Sequence, residues 1–158
     1  ARVGRDGEAV AAAAFEVAKT FKDQDRFDEA EEWILEALRI DNIVYTEDQG
    51  MPATTMSILG DIYWRQGKLD KALKTHKRRL RIARRAFGPG SPNVAGALNC
   101  IALCFKGQGL CDQAMEKYEE SLAIYRSLYG EDDKHVAMVL GNMACVLSVQ
   151  DKHAEALA

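Results

Sequence analysis

Cysteine and histidine are the residues of this 158-residue chain that could ligate a metal ion or act as nucleophile or base. Cys100, Cys104 and Cys111 lie close together in the sequence, and Cys145 follows later. A zinc site needs its ligands in a recognisable pair-and-pair spacing, which a CxxxC segment followed by one further cysteine does not provide. We therefore predict free thiols that fill small apolar sites in the cytoplasm or another reducing intracellular compartment, with no metal and no cofactor.

The three histidines, His76, His135 and His153, do not form a catalytic pattern either. His76 and His153 occupy positions at which equivalent segments of the chain carry apolar residues, so we predict that both are packing residues. The sequence contains no HExxH, GxSxG, GxGxxG or Walker-type motif. We expect no catalytic residues and no enzymatic activity.

The elements that hold these residues repeat with a fixed step of 42 residues. The segment that begins at Gln24 returns at Gln66, Gln108 and Gln150 without insertion or deletion. A fixed period of this size is typical of stacked-repeat proteins, which present surfaces to partners. A hydrophobic content of 47% and a charged content of 28% exclude a disordered chain, and no apolar run reaches the length of a transmembrane segment.

Each period reads as a helix, a short turn and a second helix. Met56, Leu59, Gly60 and Tyr63 share one helical face, and equivalent residues occur in every copy. We predict one domain over residues 1–158, with repeats at about 8–49, 50–91, 92–133 and a truncated 134–158. The fourth copy is expected to turn after Gln150 and begin a second helix, and the chain to be part of a larger protein or complex.

These residues resemble the tetratricopeptide repeat family. The family's Leu-Gly-x-x-Tyr motif is present at Leu59–Tyr63, and its later alanine is Ala72. The long period is similar to the kinesin-light-chain and nephrocystin class, whose Leu-Asn-Asn-Leu-Ala run is matched here by Leu98–Ala102. The resemblance implies an all-α, right-handed superhelical solenoid of antiparallel helix hairpins with about three and a half repeats.

The resemblance also implies a peptide-binding surface, here called the concave face, along the first helix of each hairpin. Such a face would bind a peptide or a partner subunit. The alternative is that the same residues are only the solvated side of the superhelix. The candidate binding residues carried over by register are Thr54, Ser57, Asp61, Trp64, Asn99, Leu103, Lys106 and Asn142.

Charge is distributed unevenly along the chain. The net charge is −3, yet residues 51–115 carry 11 basic and 3 acidic side chains. This excess could attract an acidic protein, RNA or anionic lipid. Nucleic acid is not the expected partner, because the basic helix predicted at 71–85 lacks the aromatic residues that nucleic-acid-binding proteins place among their basic residues. Alternatively, the basic residues pair with the acidic helix around 28–36 and with Glu116, Glu119 and Glu120, or the domain is a fixed structural subunit. The basic patch lies within residues 71–85 and comprises Lys74, Lys77, Arg78, Arg81, Arg84 and Arg85.

Overall fold

The computed structural model describes residues 2–158, with side chains described from Asp6 onward. The helices predicted from the repeat before Gln150 are all present, and consecutive helices pack against each other. Three helix pairs and one single helix follow in order, which makes an all-α helical-repeat solenoid. The helices are α1 (Arg2–Asp23), α2 (Phe27–Val44), α3 (Met51–Arg65), α4 (Leu69–Phe87), α5 (Pro92–Gly107), α6 (Cys111–Tyr129) and α7 (Lys134–Leu157), with a short 3-10 helix at Glu47–Gln49.

The predicted apolar stripes form the core. Two clusters of buried side chains, one from α1 to α5 and one from α4 to α7, are joined by Leu73, which packs against both. At the centre of each hairpin a small residue of the first helix faces a larger residue of the second. In the second hairpin these are Gly60 and His76, and a Cβ at position 60 would overlap the buried imidazole ring. The prediction that His76 is a packing residue is therefore confirmed.

A ladder of side-chain hydrogen bonds explains why glutamine and aspartate recur with the period. The Gln66 amide donates to Asp28 over 3.0 Å. The same contact recurs one period later, where Gln108 donates to Asp70 over 2.7 Å, and again where Gln150 donates to Asp112 over 3.1 Å. Each rung joins the end of a first helix to the start of the preceding second helix. The ladder therefore fixes the register between neighbouring hairpins.

The turn predicted after Gln150 is wrong. In the earlier copies the residue after this glutamine has left-handed backbone, with φ of 58° at Asp25, 76° at Gly67 and 77° at Gly109. In the fourth copy α7 continues through Asp151 to Leu157 as one helix. Residues 151–158 are exposed, so no burial offsets the cost of a left-handed aspartate, whereas a continuous helix keeps its backbone hydrogen bonds. His153 is consequently exposed and is not a packing residue.

The connections between hairpins differ in kind. The second and third are short turns in which Ser91 and Asp133 cap the following helices through the backbone N–H groups of Val94 and His135. The first is longer and contains the 3-10 helix, which packs against the end of α4. The first connection thus reaches the basic helix, whereas the others only reverse the chain.

Candidate functional site

The concave face is an accessible surface in the second hairpin. The Thr54 and Trp64 side chains are exposed, with 40% of Trp64 accessible. Ser57 lies between them and donates its hydroxyl proton to the Thr54 carbonyl oxygen over 2.8 Å. Because the Ser57 side chain is small and its hydroxyl is hydrogen-bonded within α3, it does not project from the helix surface. The second hairpin therefore offers a shallow floor beside one large aromatic side chain.

Charges on this face are paired with one another. Lys22 of α1 donates to Asp61 of α3 over 3.1 Å. Lys19 lies 3.5 Å from Glu16 on the same helix. Exposed pairs of this kind contribute little to stability, but they cancel much of the local electrostatic field. The charges at these positions of the first two hairpins are therefore largely compensated within the chain.

An amide pair closes the face in the third hairpin. Asn142 of α7 donates its amide to the Asn99 side-chain oxygen of α5 over 3.2 Å. Asn99 is only 7% exposed. Leu103 and Lys106, one and two turns further along α5, are half-buried. The structure thus brings Asn99 and Asn142 together as a contact between α5 and α7. The Asn99 amide nitrogen donates no hydrogen bond to another described residue.

A pocket of about 260 Å³ opens on the concave face between α1 and α3. Ala12, Phe15 and Thr54 form its accessible wall, and Asp41 of α2 lines its interior. Burial raises the pKa of the Asp41 carboxyl, and a hydrogen bond from Thr55 opposes this shift. Two exposed acids, Glu8 and Glu16, also line it. The pocket therefore combines apolar side chains with a few polar and acidic groups, as ligand pockets commonly do.

Asp41 and Thr55 were missed as candidate site residues by the sequence analysis. Both are almost fully buried, with exposures of 2% and 1%. The available signal was position 41 itself, which continues the helical stripe of Ile34 and Leu38 and so places a carboxylate on an apolar face. A polar residue in such a stripe needs a hydrogen-bond partner, and Thr55 supplies it.

The basic patch is divided between paired and unpaired residues. Arg85 lies 3.1 Å from Glu47 and 3.0 Å from Asp48, and Arg81 lies 3.4 Å from Glu47. Arg84 approaches Glu120 at 3.8 Å, as expected from the acidic third hairpin. Among the described residues, the ion pair with the acidic helix at 28–36 is made by Lys68, just before α4, with Glu31 at 2.9 Å, and none is made by residues 71–85. The 3-10 helix supplies the carboxylates instead.

The unpaired part of the patch borders a second opening, called here the outer groove. This groove of about 440 Å³ lies between α2 and α4, on the side of α3 opposite Thr54, Ser57 and Asp61. Its floor is apolar, and its charged wall comes from α4. No carboxylate is among the lining residues, which are Leu38, Met56, Leu59, Tyr63, Lys74, Thr75, Lys77, Arg78 and Arg81.

Cys104 and the buried His76 are in environments that suppress reactivity. Cys145 is exposed, so the prediction that the thiols fill small apolar sites is wrong for this residue. Burial raises the pKa of the Cys104 thiol to about 12, with a smaller effect from neighbouring Cys100. Burial, with a further effect from Arg79, lowers the pKa of His76 to about 3. All four cysteines are free thiols. Within residues 2–158 no group of three acidic, cysteine or histidine side chains is arranged to hold a metal ion.

Among the described residues, no helix has both the length and the apolar character needed to cross a bilayer.

These features define a class of protein: a stack of helix hairpins that presents surfaces and openings. A sequence model of the tetratricopeptide repeat matches residues 8–85, 51–127 and 93–158 in overlapping windows. Because these matches cover nearly all of the sequence, the chain belongs to the tetratricopeptide repeat family. Repeats of this family generally mediate protein–protein interactions, and their fold is typically a non-catalytic scaffold.

Solved structures with the same fold include proteins of the kinesin-light-chain kind. BtubC (BKLC) from P. vanneervenii is 23% identical, with a TM-score of 0.77 over 94% of this chain and 66% of its own. Nearly identical TPR-like repeats from Podosopora anserina, named as a kinesin light chain, are 15% identical, with a TM-score of 0.79 over 92% and 69%. The tetratricopeptide domain of Arabidopsis FLU is 21% identical, with a TM-score of 0.68 over 77% and 98%.

The chain thus spans just under two thirds of the length of BtubC. At these levels of identity the likeness shows a shared fold. No curated protein matches the sequence.

Proposed function

We propose that this chain is a non-catalytic interaction scaffold that binds a peptide segment of a partner protein on its concave face. The pocket of about 260 Å³ between α1 and α3 carries the proposal. It opens on the face that the repeat register indicates, and Ala12 and Thr54 at its mouth are exposed. The cysteine content supports a reducing compartment, such as the cytoplasm, as the place of action.

The pocket offers a side-chain site beside a longer surface. Phe15 supplies apolar contact at the mouth, and Trp64 supplies a further exposed aromatic side chain toward the end of α3. Aromatic side chains that are exposed in the free protein and buried by a partner are among the residues that contribute most to binding affinity. Lys22 and Asp61 already neutralise each other further along the face, so side-chain shape contributes more to partner choice there than net charge does.

The test is to select peptides from a displayed library on the immobilised chain and measure their affinity by fluorescence anisotropy. Ala12→Arg with Thr54→Arg places two long cationic side chains across the pocket mouth and should weaken binding about tenfold or more. Ala123→Arg, at an exposed position on α6, is the matched control and should change affinity by less than about twofold. Peptides that bind the double variant as well as the parent chain would refute the concave site.

A further inference from the structure

We propose that the outer groove is a second protein-binding site, which takes an acidic peptide segment carrying one large apolar side chain. The groove lies on the opposite side of α3 from the concave face, so the two sites do not share exposed residues. The observations that lead to this inference are the apolar floor, the cations along one wall and the absence of lining carboxylates.

The floor of the groove fits an apolar side chain. Met56 and Leu59 of α3 are 1% and 4% exposed, and Tyr63 is 8% exposed. These side chains belong to the core, but they also line the bottom of the groove between two outer helices. Because these side chains are already nearly buried, most of the apolar area removed from water on binding would be that of the bound side chain itself.

The wall of the groove selects for negative charge. Lys74 and Lys77 are exposed, and neither forms a salt bridge with a described residue. Lys77 lies over the Phe105 ring of α5 at 5.6 Å, so its ammonium group contacts an aromatic face and no carboxylate. Arg78 donates to the neutral Asn42 side chain over 3.3 Å and so keeps its charge uncompensated. Three positive charges therefore border the groove without internal acids.

The acids that neutralise the rest of α4 are held elsewhere. Glu47 and Asp48 lie at the C-terminal end of the helix against Arg81 and Arg85. Glu31 of α2 is held by Lys68 at 2.9 Å. Both sets of carboxylates are engaged by other cations, so a partner must supply the negative charge at Lys74 and Lys77. This is the charge complementarity on which the choice of an acidic occupant rests.

An apolar floor distinguishes a peptide from other polyanions. RNA binds through stacking of bases on exposed aromatic rings and through phosphate contacts. The one aromatic residue in the groove, Tyr63, is buried and presents no ring face for stacking. Anionic lipid would require only the charge. An acidic segment with one large apolar side chain uses both the floor and the wall.

The first experiment uses the full chain and a fluorescein-labelled synthetic peptide in which one Leu lies between runs of Asp and Glu. Fluorescence anisotropy should show that the peptide binds the parent chain, and that its affinity for the double variant Lys74→Glu with Lys77→Glu is lower by about tenfold or more. Lys134→Glu with Lys152→Glu changes the net charge equally at exposed positions on α7 and should retain binding. The same peptide with Ser in place of Leu should also bind about tenfold more weakly.

The second measurement locates the peptide. With methyl-labelled methionine, the Met56 methyl resonance reports the outer groove, whereas Met51 lines the concave pocket and Met138 is exposed on α7. Peptide addition should shift Met56 and leave Met51 and Met138 unchanged. The proposal would be overturned if binding did not depend on Lys74 and Lys77, if only the Met51 resonance shifted, or if the Leu→Ser change in the peptide had no effect on binding. It would also be overturned, in favour of a polyanion site, if single-stranded RNA or phosphatidylserine vesicles bound through Lys74 and Lys77 more tightly than the peptide does.

Discussion

The second and third hairpins fill the same central space with different pairs of residues. In the second hairpin, Gly60 of α3 faces the buried ring of His76 on α4. The equivalent positions in the third hairpin are Ala102 and Tyr118, which are both fully buried. A histidine ring close to the neighbouring backbone requires glycine, whereas the tyrosine is accommodated beside alanine. The repeat therefore preserves the fit of two residues together, so each can change only with its partner.

The largest difference between these hairpins should appear when the pH is lowered. Burial holds the pKa of His76 at about 3, whereas an unfolded histidine titrates near its ordinary value of 6.5. Between these two values the unfolded chain binds a proton that the folded chain excludes, so stability is present above pH 6.5 and falls as the pH decreases. The slope is about 1.4 kcal/mol per pH unit, or about 2 kcal/mol from pH 6.5 to 5.

Urea unfolding at these two pH values measures this effect. His76→Ile, which introduces the residue found at the equivalent Ile34 of the first hairpin, removes the titrating group. The pH dependence of the variant should be smaller than that of the parent chain by this amount. Equal slopes in the two proteins would show that His76 is protonated without cost in the folded state.

The next effect concerns the close approach at Gly60. Alanine at this position gains about 1 kcal/mol in helix propensity, but its methyl group must displace a ring that the core encloses. We expect Gly60→Ala to lower the free energy of unfolding by about 1–2 kcal/mol, because overpacking outweighs propensity. Gly141→Ala in α7 is the matched control, since a Cβ there meets no atom within 4 Å.

A second variant makes the comparison sharper. Gly60→Ala with His76→Ile recreates the pair Ala18 and Ile34 of the first hairpin, where both residues are fully buried. The double variant should regain most of the stability lost in Gly60→Ala, giving a coupling energy of about 1 kcal/mol or more. Additive effects would mean that the two slots are independent.

The smallest effect is expected in the third hairpin. The Tyr118 hydroxyl is buried without a hydrogen-bond partner among the described residues, and burial raises the pKa of this phenol. Removing an unsatisfied polar group costs little, so Tyr118→Phe should change stability by less than about 0.5 kcal/mol. Tyr118→Leu should cost about 2 kcal/mol or more, because it leaves a cavity. A loss above about 1 kcal/mol in Tyr118→Phe would indicate that the hydroxyl is hydrogen-bonded.

Helix positions were predictable from the sequence because the 3.6-residue stripe and the 42-residue step agree with each other. The cap of α5 at Ser91 is of the predictable kind, since a serine followed by proline is a signal that lies within a few residues. The continuation of α7 through Asp151 was not predictable. The same Gln-Asp pair forms a turn at Gln24–Asp25, where the next helix packs back, so the outcome depends on burial distant in sequence.

The candidate surfaces were predictable only in outline. Register placed Thr54 and Trp64 on an exposed face, yet it could not show that Lys22 reaches Asp61 from the neighbouring helix. The basic helix was evident from composition. Its division into a neutralised end and an open middle depends on the 3-10 helix, whose Glu47 is 34 residues before Arg81 in the sequence.

The uncovered face of α7 has a consequence for motion. Leu140 and Leu147 occupy core slots of the repeat but are 41% and 49% exposed, and the last rung of the ladder is at Gln150. In a stack of repeats each unit is stabilised only by its neighbours. The backbone amides after Gln150 should therefore exchange with solvent through local fraying. Those of α5, packed on both sides, should exchange only when the whole stack opens, so protection declines from the middle of the chain toward α7.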